Sequence, residues 1–222
     1  MIEETTSTQS DLVQQFESGK VLVAEYQSAG RGRLDRKFIV PPRKGLTFSF
    51  CIEATNDFGW IPLLTGLAVA QGINNYLNSD LVKIKWPNDL LIDEKKLGGI
   101  LSEKSETGVI VGVGINIFQT QTELPISDAT SLTNVVRNME IDRSELLSRI
   151  LDRIGEVLAD LGKFKNEYRE FCSTIGKSVM VTLPTGQVIE DLAIGISTDG
   201  ALILKSREIT VGDTVHLRNI DK

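Results

Sequence analysis

The chain has little of the material from which metal centres and disulfide frameworks are built. Its 222 residues include one histidine, His216, and two cysteines, Cys51 and Cys172. The cysteines lie far apart and neither belongs to a close-spaced pair, so no Cys/His metal site is expected. Both read as reduced core residues of a cytoplasmic protein. Basic charge is scarce as well: 24 Lys and Arg stand against 30 Asp and Glu, a formal net charge of -6. A nucleic-acid surface ordinarily carries a basic surplus, so no nucleic-acid partner is expected. No apolar tract reaches the roughly eighteen residues of a membrane-spanning helix, so no membrane partner is expected either. The start, MIEETTSTQSD, is acidic and polar and lacks the basic and apolar regions of a secretory signal.

Hydrophobic residues at 41% and charged residues at 24% are what a globular chain needs to bury a core. Thr8 to Phe16 reads as a short helix, with Thr8 and Asp11 as a capping box. KVLVAEY (20–26) and GLTFSFCIE (45–53) read as strands, and Trp60 to Leu77 as a core-facing helix. The runs 82–86, 96–104 and 108–118 read as strands separated by turns at Asn88-Asp89, Asp93-Glu94 and Thr107-Gly108. Residues 119–133 are polar and aperiodic, a loop. Asp142 and Glu145 cap a long amphipathic helix that extends or restarts toward Phe171. After Gly176 the texture changes to short strands with turns at Pro184-Thr185-Gly186, Thr198-Asp199-Gly200 and Val211-Gly212-Asp213. The expected architecture is α+β: a catalytic domain of mixed sheet and helices over 1–173, then a small independent barrel or meander over 174–222.

Three stretches carry chemistry. YQSAGRGRLDRKF (26–38) interleaves Gly30 and Gly32 with Arg31 and Arg33. Glycines there permit backbone N–H groups to turn inward, and the arginines add charge-assisted donors, so the loop suits a small anion. KIKWPNDLLIDEKKLGGILSE (83–103) sets Lys85 and Trp86 at a strand end before a Pro87-Asn88-Asp89 turn, where functional groups are commonly presented. VGVGIN (111–116) lets another group approach the sheet closely beside Asn116. Singly, each has a plain reading: Ser7-Thr8-Gln9 as a helix cap, GRGR as a solvated turn, GVGIN as a bulged core strand.

Together, in this order and spacing, S-T-Q, YQxAGRGRxxR, KWPNDLLI…KLGGIL, GVGIN and a β-rich tail resemble the biotin–protein ligases over nearly the whole chain. The resemblance implies a catalytic domain like that of the class II aminoacyl-tRNA synthetases, followed by an SH3-like barrel. It implies that biotin and Mg-ATP give biotinyl-5′-AMP and pyrophosphate, and that a lysine of a biotin carboxyl carrier protein then takes the biotin. By motif, Ser7, Thr8 and Gln9 lie at the biotin ring and Gln27 hydrogen-bonds its head group. Gly30, Arg31, Gly32 and Arg33 cover the bound acid, in a loop that is floppy when empty and orders over ligand. Lys85 sits between the biotin carboxylate and the α-phosphate, and Arg36, Asn88 and Asn116 face the adenylate. Lys85, Arg31 and Arg33 form the catalytic set, and the only metal is the Mg2+ that ATP brings. Relatives are monomers or homodimers. The sequence departs from the family at Gln9 (asparagine), Asp35 (glycine) and Phe38 (tryptophan), and the loop 119–133 holds no aromatic after Phe118 to stack on adenine.

The chain begins almost at the first motif, so an N-terminal DNA-binding domain and a repressor role are not expected. A lipoate- or octanoyl-type ligase would carry a glycine run with a histidine in the loop, whereas the one histidine here is in the tail. A non-catalytic biotin-binding module would lack Lys85 or the arginines, and all are present.

Overall fold

The computed structural model describes residues 1–33, 36–137 and 139–217. Asp35, and the expectation that it points to solvent or pairs with Arg33 or Arg36, lies outside the described residues. Chain order runs β1 (Ile2–Thr5), α1 (Thr8–Gln14), β2 (Val21–Gln27), β3 (Gly45–Glu53), a 3-10 turn (Phe58–Trp60) and α2 (Ile61–Leu77). Next come β4 (Lys83–Lys85), β5 (Asp89–Ile92), β6 (Lys95–Lys104), β7 (Gly108–Asn116), α3 (Leu132–Val135), α4 (Arg143–Ala159) and α5 (Leu161–Phe171). The tail holds β8 (Ser178–Thr182), β9 (Val188–Ile196), β10 (Leu202–Leu204), β11 (Glu208–Ile209) and β12 (Asp213–His216).

Seven strands form one sheet in the order β1-β2-β3-β7-β6-β5-β4, antiparallel throughout except for β1 against β2. Strand alternation divides its residues between two faces. Leu46, Phe48 and Phe50 of β3 and Val111, Val113 and Ile115 of β7 bury themselves in the core shared with α2 and α4. Full burial of such a side chain contributes about 1.5–3 kcal/mol. The opposite parity carries Thr47, Ser49 and Cys51 against Gly114, Gly112 and Ile110. There α1 covers one end through Leu12, which packs with Cys51 and Ile110, and leaves the other end open.

The helices start and stop where their caps dictate. Asp142 Oδ1 accepts from the N–H groups of Ser144 (2.8 Å) and Glu145 (3.1 Å) to open α4. Asp160 Oδ1 accepts from Lys163 N–H (3.1 Å) and restarts the chain as α5. At α1 the cap is Ser7, whose hydroxyl accepts from Ser10 N–H, and not Thr8 as expected. Gly72 of α2 is there for packing: a Cβ would stand 2.9 Å from Ile150 Cα on α4.

The tail folds as a five-stranded antiparallel sheet in the order β11-β10-β9-β8-β12, an open sheet rather than a closed one. Its packing is not independent of the rest, contrary to expectation. Val179, Val181, Ala193 and Leu202 belong to the same hydrophobic core as α2 and the large sheet. Both tryptophans reach across: Trp60 Nε1–H donates to Thr198 O (2.6 Å) and Trp86 Nε1–H to Gly200 O (3.0 Å). A buried indole N–H needs an acceptor, and here the tail's 198–200 turn supplies both.

Candidate active site

The uncovered end of the sheet opens into a cleft of about 1460 Å³. Ser7, Thr8, Gln9, Gln27, Arg31, Gly32, Arg33, Arg36, Lys85, Asn88 and Asn116 all line it. Gly30 does not. It is buried behind the loop, where a Cβ would collide with the Phe38 carbonyl oxygen. Neither Gly30 nor Gly32 takes a positive φ, and what Gly30 serves is a close backbone approach. Phe38 N–H donates to Gly30 O (3.0 Å) and Gly32 N–H to Arg36 O (2.7 Å), laying residues 30–32 against 36–38.

At one end the start of α1 meets β2 and β3. Gln27 Oε1 accepts from both Thr8 N–H (2.8 Å) and Thr8 Oγ1 (3.0 Å), and Thr8 Oγ1 also contacts Ser49 Oγ (2.7 Å). That leaves the amide nitrogen of Gln27 as the donor half of its side chain. The floor explains the glycines of GVGIN. A Cβ at Gly112 would stand 2.6 Å from Gln9 Oε1, and one at Gly114 would collide with the Phe38 ring. Each glycine therefore has a side chain lying directly over it.

The middle of the cleft is cationic, and its charges are tied. Lys85, at the end of edge strand β4, pairs across the hairpin with Asp89 of β5. Its Nζ stands 2.8 Å from Asp89 Oδ2, while Lys96 Nζ stands 2.5 Å from Asp89 Oδ1. Burial pushes the Asp89 carboxyl up, but the charges and hydrogen bonds of Lys96 and Lys85 outweigh it and hold it below the usual carboxylate range. Arg31 makes a two-pronged pair with Glu103 on β6 (2.5 and 3.1 Å). Arg36 pairs with Asp213 on β12. Two of the loop's arginines, Arg31 and Arg36, thus have carboxylate partners on other strands. Arg33 turns inward, half-buried, and donates to Asn88 Oδ1 (3.2 Å) and Gly212 O (3.4 Å). Burial lowers its guanidinium from the ordinary value, Asp213 and Asp89 oppose that, and it stays cationic.

At the far end Asn116 is buried, with Nδ2 donating to Thr130 O (3.0 Å) and Oδ1 accepting from Gln119 Nε2 (2.8 Å). The 119–133 segment brings Pro125, Ile126 and Ala129 to the rim. No group of three or more His, Cys, Asp or Glu that could hold a metal ion occurs among the described residues. No helix among them is long and apolar enough to cross a membrane.

Residues 1–117 match the Biotin/lipoate A/B protein ligase family. The chain belongs to that family. It is 34% identical, over 98% of its length and 88% of the relative's, to a biotin–[acetyl-CoA-carboxylase] ligase of Mycobacterium tuberculosis. It is 26% identical, over its whole length and 74% of the relative's, to the bifunctional ligase/repressor BirA of Escherichia coli. Among solved structures it is similar to the biotin protein ligase of Aquifex aeolicus in complex with biotin and ATP. The TM-score is 0.86 at 32% identity, covering 98% of this chain and 97% of that one.

Within this biotin/lipoate ligase cleft, sequence reasoning missed Ser49, Asp89, Lys96, Glu103 and Asp213. One of them, Asp89, had a signal. A tight turn after Lys85 makes Lys85 and Asp89 cross-strand neighbours, and such neighbours pair when oppositely charged. Glu103 and Asp213 stand 72 and 177 residues from their arginines, beyond any local pattern.

Proposed function

We propose that the protein is a biotin–protein ligase whose cleft activates biotin with ATP. A biotin carboxylate oxygen attacks the α-phosphorus of ATP, the bond from that phosphorus to the bridging oxygen breaks, and biotinyl-5′-AMP and pyrophosphate form. The amine of a carrier-domain lysine then attacks the acyl carbon and expels AMP, losing its proton. The carrier is a biotin carboxyl carrier domain, and the buried free cysteines suit a cytoplasmic setting.

One observation supports this reading above the others: Gln27 and the start of α1, the cations Arg31, Arg33 and Lys85, and the amides of Asn88 and Asn116 all line a single cleft. The roles divide among these groups. Ser7, Thr8 and Gln9 with Gln27 surround the biotin head group, the Gln27 amide nitrogen donating to its urea oxygen. Arg31, Gly32 and Arg33 cover the acid, while Lys85 stands between carboxylate and α-phosphate and screens their repulsion. As bonds change at phosphorus, fixed cations there lower the barrier because they need not reorganise. Arg36, Asn88 and Asn116 face the adenylate. Mg2+ would be brought by ATP and held chiefly by phosphate oxygens, where it would offset their charge. Residues 1–173 form the catalytic domain and 174–222 the second domain, whose five antiparallel strands match an SH3-like barrel in number while their sheet stays open.

The test is to incubate the protein with ATP and biotin, measure pyrophosphate, and detect biotinyl-AMP and biotinylated carrier domain by mass spectrometry. Parallel arms contain lipoate and octanoate. Absence of biotin-dependent pyrophosphate would sink the reading, and a preference for lipoate would move it to the other branch of the family.

A further inference from the structure

Lys85 is held from outside the large sheet. Strand β4 is an edge, and on its free side the segment 172–174 runs alongside, bridging Ile84 to Cys172. The backbone groups on either side of Lys85 are both claimed by that segment. Ile84 O accepts from Ser173 N–H (2.9 Å) and Ser173 Oγ (2.8 Å), and Trp86 N–H donates to Thr174 Oγ1 (3.0 Å). Thr174 is fully buried and its hydroxyl continues onward, to His216 Nε2 at 3.0 Å. His216 Nδ1 lies 2.7 Å from Glu94 Oε2, and Lys177 Nζ lies 2.6 Å from Glu94 Oε1. Glu94 sits in the β5–β6 turn, where it and Asp93 take positive φ values of 60° and 50° that side chains ordinarily avoid. Such a turn persists when its surroundings hold it.

The partners fix every proton in this chain. A carboxylate only accepts, so Nδ1 of His216 carries the hydrogen and donates to Glu94, and Nε2 is left to accept. Lys177 Nζ, 3.3 Å from Nδ1, is also a donor and bonds Glu94 instead. The Thr174 hydroxyl accepts from Trp86 N–H and donates to Nε2. The chain therefore has one direction, from the Trp86 backbone to the Glu94 carboxylate, and no group in it is unmatched.

We propose that His216, acting through Thr174, is a positioning residue for Lys85, so that the last strand of the tail sets the catalytic geometry at the end of β4. The proposal rests on the ligase reading of the cleft. Among the described residues, three charged groups face His216: Glu94, Lys177 and Lys85. Burial is the largest influence and lowers the imidazole from its ordinary value, Lys177 and Lys85 act the same way, and Glu94 opposes them. The ring is therefore neutral at neutral pH, which the directed chain requires. Protonation would put a second donor on Nε2 and leave the Thr174 hydroxyl hydrogen without its acceptor.

The experiment has a structural and a kinetic arm, both on the full chain. Because His216 is the one histidine, ring 15N signals report it alone. Wild type should show the Nδ1–H tautomer, titrating below the ordinary value. An Nε2–H tautomer would overturn the proposal whatever the activity proves to be. Kinetically, biotinyl-AMP formation at saturating biotin and ATP is compared for wild type, Thr174→Val and Thr174→Ser, each with and without Lys85→Ala. Misplacing a reacting group by about 1 Å costs up to about a hundredfold, so Thr174→Val should slow adenylation by about ten- to a hundredfold. Biotin affinity should change little, and Thr174→Ser, which keeps the hydroxyl, should recover most of the rate. In the Lys85→Ala background Thr174→Val should add almost nothing. A wild-type rate in Thr174→Val, or the same slowing with Lys85 absent, would overturn the relay. Failure of wild type itself to release pyrophosphate would instead overturn the ligase reading.

Discussion

Replacing Lys85 with alanine separates chemistry from folding because of what its ammonium leaves behind. Lys85 shares the largely buried Asp89 carboxylate with Lys96, at 2.8 and 2.5 Å. Breaking a buried ion pair usually costs about 3–5 kcal/mol because one charge is stranded. Here Lys96 stays on Asp89, so the folding cost of Lys85→Ala should be well under that range. The catalytic cost is of another kind. A point charge about 4 Å from a phosphate oxygen, at an effective dielectric near 20, is worth roughly 4 kcal/mol. Removing one preorganised donor typically costs about a hundred- to a thousandfold in rate, or roughly 3–4 kcal/mol. Lys85→Ala should therefore cripple biotinyl-AMP formation and leave the fold intact. Lys85→Arg should keep the Asp89 pair yet rescue the rate poorly, because a planar fork does not replace a compact charge between two oxygens. The assay is pre-steady-state pyrophosphate release at saturating biotin and ATP, with transfer from supplied biotinyl-AMP to the carrier measured separately. Adenylate formation by Lys85→Ala at near wild-type rate would refute the role and leave Arg31 and Arg33 as the main charge stabilisers.

Gly114→Ala drives a methyl group into the Phe38 ring; overpacking of this kind costs about 1–3 kcal/mol, and biotin affinity measured by calorimetry should fall at least several-fold. An unchanged affinity would mean that Phe38 gives way freely. Trp60→Phe removes the 2.6 Å bond to Thr198 O and orphans that carbonyl, so urea unfolding should show a loss of about 1–3 kcal/mol. Wild-type stability would show that the 198–200 turn is not a fastening point. For pH, a His216 value depressed below 6.5 means that the unfolded chain binds the proton first. Stability is then fully present above 6.5 and declines as pH falls toward the folded value. His216→Gln should flatten that decline in unfolding free energy, and an unchanged slope would assign it to other groups.

Elements with a full hydrophobic period were legible in the sequence: α2, α4, β3 and β7 stand within a few residues of where apolar spacing puts them. The misses share a cause, which is that neighbours distant in sequence create the element. IEET has one apolar residue, yet β1 forms because β2 offers a free parallel edge. No strand is read between the turns at Asn88-Asp89 and Asp93-Glu94, yet β5 forms there because β4 and β6 stand on either side. Two-residue β11 exists only as the partner of β10. At the site, the identity of the charged side chains was legible and their pairing was not. GRGR announces donors, whereas the acceptors Glu103 and Asp213 arrive from β6 and β12.

Those pairings bear on how an anion enters. Arg31 and Arg36 are bound to carboxylates whose side chains are partly solvent-exposed. A phosphate or carboxylate ligand that takes either arginine returns Glu103 or Asp213 to water, at little cost, since exposed pairs contribute only about 0–1 kcal/mol. Asp89 cannot be released that way, because it is buried. Its second lysine solves the problem: Lys85 can turn to the substrate while Lys96 keeps the carboxylate paired. Arg33 differs from all three, for its hydrogen-bond partners among the described residues, Asn88 Oδ1 and Gly212 O, are neutral. Among the described residues it forms no salt bridge, although Asp213 and Asp89 lie near enough to favour its charge, and it is already turned inward. On the ligase reading, an anion entering the cleft would meet Arg33 without first breaking an ion pair among those residues, and Lys85 would follow as the reacting groups approach.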